Sequence, residues 1–101
     1  MIHVLTAQAL MRIDPIDYPK VLEALARAEK RTPNDPDIFF LRGKVYAATN
    51  RGQEAVAAFK RAIELRPMEP GPYYQLGLMY GKLGQKQLAR EALDRMEHMK
   101  R

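Results

Sequence analysis

The 101-residue chain has no cysteine and no tryptophan, and aromatic residues make up only 8% of it. Without cysteine there is no disulfide framework and no thiolate metal site, and the redox compartment is left open. No stretch approaches the roughly 18 to 20 consecutive apolar residues a membrane-spanning helix needs. The opening run MIHVLTAQALMRI has neither a basic start nor a small-residue cleavage site. No signal peptide is therefore expected, and localisation stays unassigned, cytoplasmic by default. A glycine-rich phosphate cradle ahead of a helix is also missing. The two histidines, His3 and His98, stand near opposite ends of the chain, and neither belongs to a ligand set with a metal-binding spacing. Glu54, Glu64, Glu91 and Glu97 each lie beside Lys or Arg at helical spacing, which reads as solvated ion pairs. The expectation is a noncatalytic chain that uses no cofactor and no metal.

What is present is ordinary for a folded, soluble protein: 47% hydrophobic and 29% charged residues in a length that suits one modest domain. Lys and Arg outnumber Asp and Glu by 17 to 12, a net charge of +5. The signs alternate, as in KRAIELR and AREALDRMEHMKR, with no continuous basic stripe and no aromatic interleaving. Solvated helix faces explain that pattern, and no nucleic acid is expected as a partner.

The positive signal is repetition. TPNDP at Thr32 to Pro36 has an echo in RPMEP at Arg66 to Pro70, and the pairs Pro33/Pro67, Pro36/Pro70, Gly43/Gly77 and Tyr46/Tyr80 each stand 34 apart. Apolar residues follow the helical period, as in Ala55, Val56, Phe59, Ala62 and Ile63, or Leu88, Ala89, Ala92, Leu93 and Met96. No strand-like alternation competes. Breakers divide the chain into six helices over about 1–13, 17–31, 36–49, 52–65, 70–83 and 86–99. Asp35 and Glu69, each just before a proline, resemble helix starts, and Asp17 suits a cap. Asn50 and Gly84 suit the left-handed turn that ends a helix.

Together these residues resemble the tetratricopeptide repeat family, a 34-residue helix-turn-helix unit with small and large residues at fixed positions. Tyr73, Leu76, Gly77, Tyr80, Ala89 and Leu93 fit the pattern, as do Phe39, Gly43, Tyr46, Ala55, Phe59, Ala62 and Pro67, with Arg42 in place of the expected leucine. Thr6, Ala7, Leu10, Ile13, Val21, Leu25, Ala28 and Pro33 fit a first, worn unit if Pro15 and Ile16 are an insertion. The fold so implied is an all-α solenoid, a right-handed superhelix of three repeats over about 1–35, 36–69 and 70–101. It forms one domain, read either as cut from a longer protein or as beginning at a genuine Met1. Gly43, Gly77 and Ala7 are expected at close helix contacts opposite Ala55 and Ala89, with Phe39, Tyr46, Phe59, Tyr73, Tyr80 and Met79 filling the core.

The resemblance also implies a function: a noncatalytic module that binds a peptide or helix of a protein partner along a concave groove. The positions so implied are Gln8, Met11, Arg12, Phe40, Lys44, Ala47, Tyr74, Leu78 and Lys82. Phe40 and Tyr74 would be anchors, and the cations would contact acidic groups. The carboxylate clamp that some members use on chaperone tails is not expected, because Val4, Gln8, Leu41, Gly71 and Gln75 stand where it needs Lys, Asn or Arg. A second reading is self-association, or packing against missing repeats, through a final helix that presents Leu88, Ala92, Met96 and Met99 without a polar capping helix.

Overall fold

In the computed structural model the described residues are 2–12 and 16–99. They form six α-helices and no strand: α1 (Ile2–Leu10), α2 (Tyr18–Arg31), α3 (Pro36–Ala48), α4 (Gly52–Leu65), α5 (Pro70–Lys82) and α6 (Lys86–Met99). Among these residues no helix is long and apolar enough to cross a membrane.

Local chemistry sets the boundaries. Asp17 accepts a hydrogen bond from the Lys20 N–H (3.2 Å) and Asp35 from the Asp37 N–H (2.9 Å), so both cap the helices they precede. Glu69 precedes α5 but makes no capping bond; its longer side chain accepts from Arg66 instead (2.9 Å). Asn50 and Gly84 have φ of 60° and 78°. These left-handed residues let the Arg51 N–H reach the Tyr46 carbonyl (2.8 Å) and the Gln85 N–H reach the Tyr80 carbonyl (2.9 Å), closing two equivalent turns. The first helix ends earlier than its sequence pattern implies. After Leu10 the Arg12 N–H bonds to the Ala9 carbonyl (3.0 Å), three residues back, and the tighter turn stops the α-helix. Ile13 and Pro15 lie outside the described residues.

Helices pack chiefly on their neighbours in sequence, α1 on α2, α3 on α4 and α5 on α6, with α2 against α3 and α4 against α5 between the pairs. In addition α1 touches α3 and α3 touches α5, whereas no such approach joins α2 to α4 or α4 to α6 among the described residues. The first helices of successive pairs therefore crowd together on the inside of a curve and the second helices fan out on its outside.

Two apolar clusters hold the stack. One gathers Val4, Ala7, Val21, Ala24, Leu25, Ala28, Ile38, Leu41 and Val45 from α1, α2 and α3. The other gathers Ala55, Val56, Phe59, Leu76, Met79, Tyr80 and Ala92 from α4, α5 and α6. Phe59, Tyr73, Tyr80 and Met79 are buried as expected, but Phe39 and Tyr46 are only half-buried. The row Ile38, Leu41 and Val45 does their work on α3 by facing α2. Phe39 instead lies beneath two guanidinium groups, Arg42 at 5.6 Å and Arg61 at 5.7 Å from its ring centre. Arg42, the departure from leucine, also pairs with Glu29 of α2 (2.9 Å) and so ties one helix pair to the next. The close partner of Gly43 is the Phe59 ring rather than Ala55: a Cβ there would lie 2.5 Å from Phe59 Cε1.

Candidate functional site

The inner side of the curve carries a groove of about 430 Å³. Gln8, Met11 and Arg12 come from α1 and the turn after it, Asp37, Phe40, Leu41 and Lys44 from α3, and Glu69 from the turn before α5. Gln8, Met11, Arg12, Phe40 and Lys44 are thus brought together as the family pattern implies. The other implied positions are not part of this cavity. Tyr74 and Leu78, one helical turn apart on α5, are 46% and 45% exposed, and Lys82 continues the same row. Ala47 is half-buried against the second apolar cluster and is better described as packing.

Phe40 has two roles at once. Its ring sits 5.9 Å from that of Phe59 at 58°, and a Cβ on Gly71 would touch it at 3.8 Å, so it wedges α3 against α4 and the start of α5. Its remaining surface faces the groove, and Lys44 Nζ lies 5.6 Å from the ring centre. Leu41, 7% exposed, completes an apolar floor with Met11.

The groove's charges are not equally free. Arg66 Nη1 donates to Glu69 (2.9 Å) and Asp37 (3.4 Å), holding both carboxylates at the rim. The hydrogen bond to Glu69 moves the Arg66 pKa upward from the ordinary arginine range, against an opposing desolvation and with the charges of Asp37, Glu69 and Asp35 adding to the rise. A raised cation keeps its charge at every pH below that range, so this tether is not released on the alkaline side of neutrality. Arg12 and Lys44, by contrast, have no carboxylate partner among the described residues. Glu69 was not legible as a groove residue, because it reads as a helix start, and Leu41 was singled out only as a position where the clamp would need another residue.

Two of the positions at which a carboxylate clamp would sit, Val4 and Leu41, are apolar and buried in the first core cluster. Among the described residues no polar or charged side chain is buried, and no group of three or more His, Cys, Asp or Glu could hold a metal. The side chain of His3 lies outside the described part.

The last helix differs from its expected character. Ala92 is buried against α5 and is no outward contact; Leu88 is 40% exposed, and Met96 and Met99 are half-buried. Where α4 seats α5, Gly52 makes room for Leu83 and Met79, and Val56 and Ile63 pack in the shared cluster. Thirty-four residues later the same places on α6 hold Lys86, Arg90 and Glu97, all exposed. The outward face of α6 is therefore polar at these three points, whereas Met96, at the place of Ala62, is apolar and half-buried.

Residues 47–84 match the family described as TPR repeat. That segment carries a tetratricopeptide repeat. The paired-helix curve continues on both sides of it. No curated protein matches it. Among solved structures it is similar to a crystal structure of MamA, with a TM-score of 0.89 at 21% identity over 97% of this chain and 56% of that one. It is similar to the second TPR of Spaghetti (RPAP3) bound to the HSP90 peptide SRMEEVD, at 0.88 and 14% identity over 96% and 88%. It is also similar to the Sgt2 TPR domain from Aspergillus fumigatus, at 0.87 and 19% identity over 97% and 64%. The chain thus spans little more than half of the MamA structure, and at these identities the likeness is one of fold.

Proposed function

We propose that this tetratricopeptide domain is a noncatalytic interaction module whose inner groove takes a short segment of a protein partner, one with an acidic residue beside an apolar anchor. The observation that carries the reading is the pairing of an apolar floor, Phe40, Leu41 and Met11, with two cations, Arg12 and Lys44, that have no carboxylate partner among the described residues, while Arg66 holds the carboxylates at the rim. A charge-assisted bond from either cation in a half-desolvated groove is worth about twice a neutral one. The aromatic floor supplies contact area at small entropic cost. Tyr74, Leu78 and Lys82 extend the path along α5 for a longer segment. The RPAP3 domain, similar in fold, holds an acidic peptide, which supports peptide binding as a use of this architecture. Binding of that same tail is not proposed, because the clamp positions differ.

The test is capture of partners from lysate of the native host, comparing the wild-type chain with Arg12→Glu/Lys44→Glu and reading both by mass spectrometry. These positions bear on charge alone, whereas Phe40→Ala would also loosen the Phe59 contact. Partners that disappear with the charge reversal support the groove; an unchanged set removes it.

Self-association through α6 is the second reading, favoured by the 40% exposure of Leu88 and opposed by Lys86, Arg90 and Glu97. A molar mass that rises with concentration and reverts with Leu88→Glu would support it. A monomer mass at all concentrations would end it.

A further inference from the structure

The repeat supplies its own reference for a corner that the groove does not use. At the junction of the first two helix pairs, Arg61 donates to Asn34 Oδ1 in the α2–α3 turn (3.2 Å) and to Glu64 Oε2 (3.2 Å). Its guanidinium lies 5.7 Å from the Phe39 ring centre. Helix and turn are tied together there. Thirty-four residues on, Arg61 becomes Arg95 and Phe39 becomes Tyr73, but Asn34 becomes Met68 and Glu64 becomes His98. The cation and the aromatic remain, and both oxygen acceptors are gone.

What is left is an opening of about 320 Å³ lined by Pro67, Met68, Tyr73, Arg95, His98 and Met99. Met68 is 76% exposed. Arg95 makes no hydrogen bond or ion pair among the described residues. The carboxylate one turn back, Glu91, accepts from Gln87 Nε2 (3.4 Å) instead. His98 Nδ1 lies 2.7 Å from the Asp94 carbonyl oxygen and must be the donor, since a carbonyl only accepts; its Nε2 is then left for another contact.

We propose that this corner is a second binding point, separate from the groove, for an acidic side chain of a protein partner. Its carboxylate takes the place beside Arg95 that Asn34 and Glu64 take beside Arg61, and the residue next to it lies on Met68, Met99 and the edge of Tyr73. An exposed arginine-carboxylate pair is weak by itself. The pliable methionine floor supplies the rest, and it selects a peptide over a free anion, which would leave that floor wet.

Methionine-methyl and arginine side-chain NMR of the chain, titrated with acetyl-Leu-Glu-Leu-amide, acetyl-Leu-Gln-Leu-amide and acetate, tests this. Saturable shifts at Met68, Met99 and the Arg95 Nε–H are expected with the glutamate peptide, about tenfold weaker with the glutamine peptide, and no saturation with acetate. Arg95→Gln should abolish the preference for glutamate. Met68→Asn/His98→Glu rebuilds the arrangement around Arg61, so it should satisfy Arg95 internally and abolish binding while melting no earlier than wild type. Equal response to both peptides, saturation by acetate, shifts centred on Met11 and Lys44 instead, or binding undiminished in the double variant would overturn the proposal.

Discussion

At the scale of single residues, three glycines of similar helical setting have different fates. A Cβ on Gly43 would lie 2.5 Å from the Phe59 ring, and one on Gly77 would lie 2.8 Å from Leu93 with the Ala89 carbonyl behind it at 3.4 Å; at Gly81 nothing is within 4 Å. Gly43→Ala should therefore lose about 1 to 3 kcal/mol of stability. Gly81→Ala should gain about 0.4 to 1 kcal/mol by restricting the unfolded chain. Urea unfolding of both measures the difference in sign. The recurrence of Gly43 and Gly77 was legible in the sequence, because only a close helix contact needs a small residue at the same place twice. That Gly43 meets Phe59 rather than Ala55 was not, since spacing along the chain does not say which way a ring on the facing helix turns.

At the scale of the helix, Leu5 and Leu41 hold the same place in the repeat and differ only in what lies against them. Leu41 is 7% exposed because α3 rests on α2, whereas Leu5 is 60% exposed on α1, which no described helix precedes. Leu41→Ala should cost about 2 to 3 kcal/mol. Leu5→Ala should stay within about 0.5 kcal/mol. Thermal or denaturant melts of the two variants check the contrast. Helix α3 was the hardest to read, because it faces α2, α4 and the groove together and is apolar nearly all round. The family signature drew attention to Phe39 and Tyr46. The spacing of Ile38, Leu41 and Val45 was the available signal for the face that is in fact buried. The turns were fully legible: Asn50 and Gly84 adopt positive φ because each lets the following N–H turn back on the helix end.

At the scale of the whole molecule, a body of 35 × 25 × 19 Å is held by two clusters in series rather than by one central core. Stability in such a stack is a sum of neighbour contacts and falls toward an end with few of them. Helix α1, nine residues packed on α2 and lightly on α3, should show the fastest amide hydrogen exchange of the helices, and α4, covered by α3 and α5, the slowest. The paired-helix architecture could be read from the 34-residue period. The groove could be read only in part: the family pattern implied Arg12, Phe40 and Lys44 together, but the tethering of Asp37 and Glu69 by Arg66 is a property of side-chain reach that spacing does not show.

The groove is tested most directly by selecting a random-peptide library on the immobilised chain and mapping a selected peptide onto it by backbone NMR. Selected sequences should place Asp or Glu beside an apolar residue, with saturable shifts clustered at Gln8, Met11, Arg12, Phe40 and Lys44, and Arg12→Glu/Lys44→Glu should weaken binding by at least about tenfold. Selected peptides without acidic residues, or shifts centred on α6 with the groove silent, would contradict it.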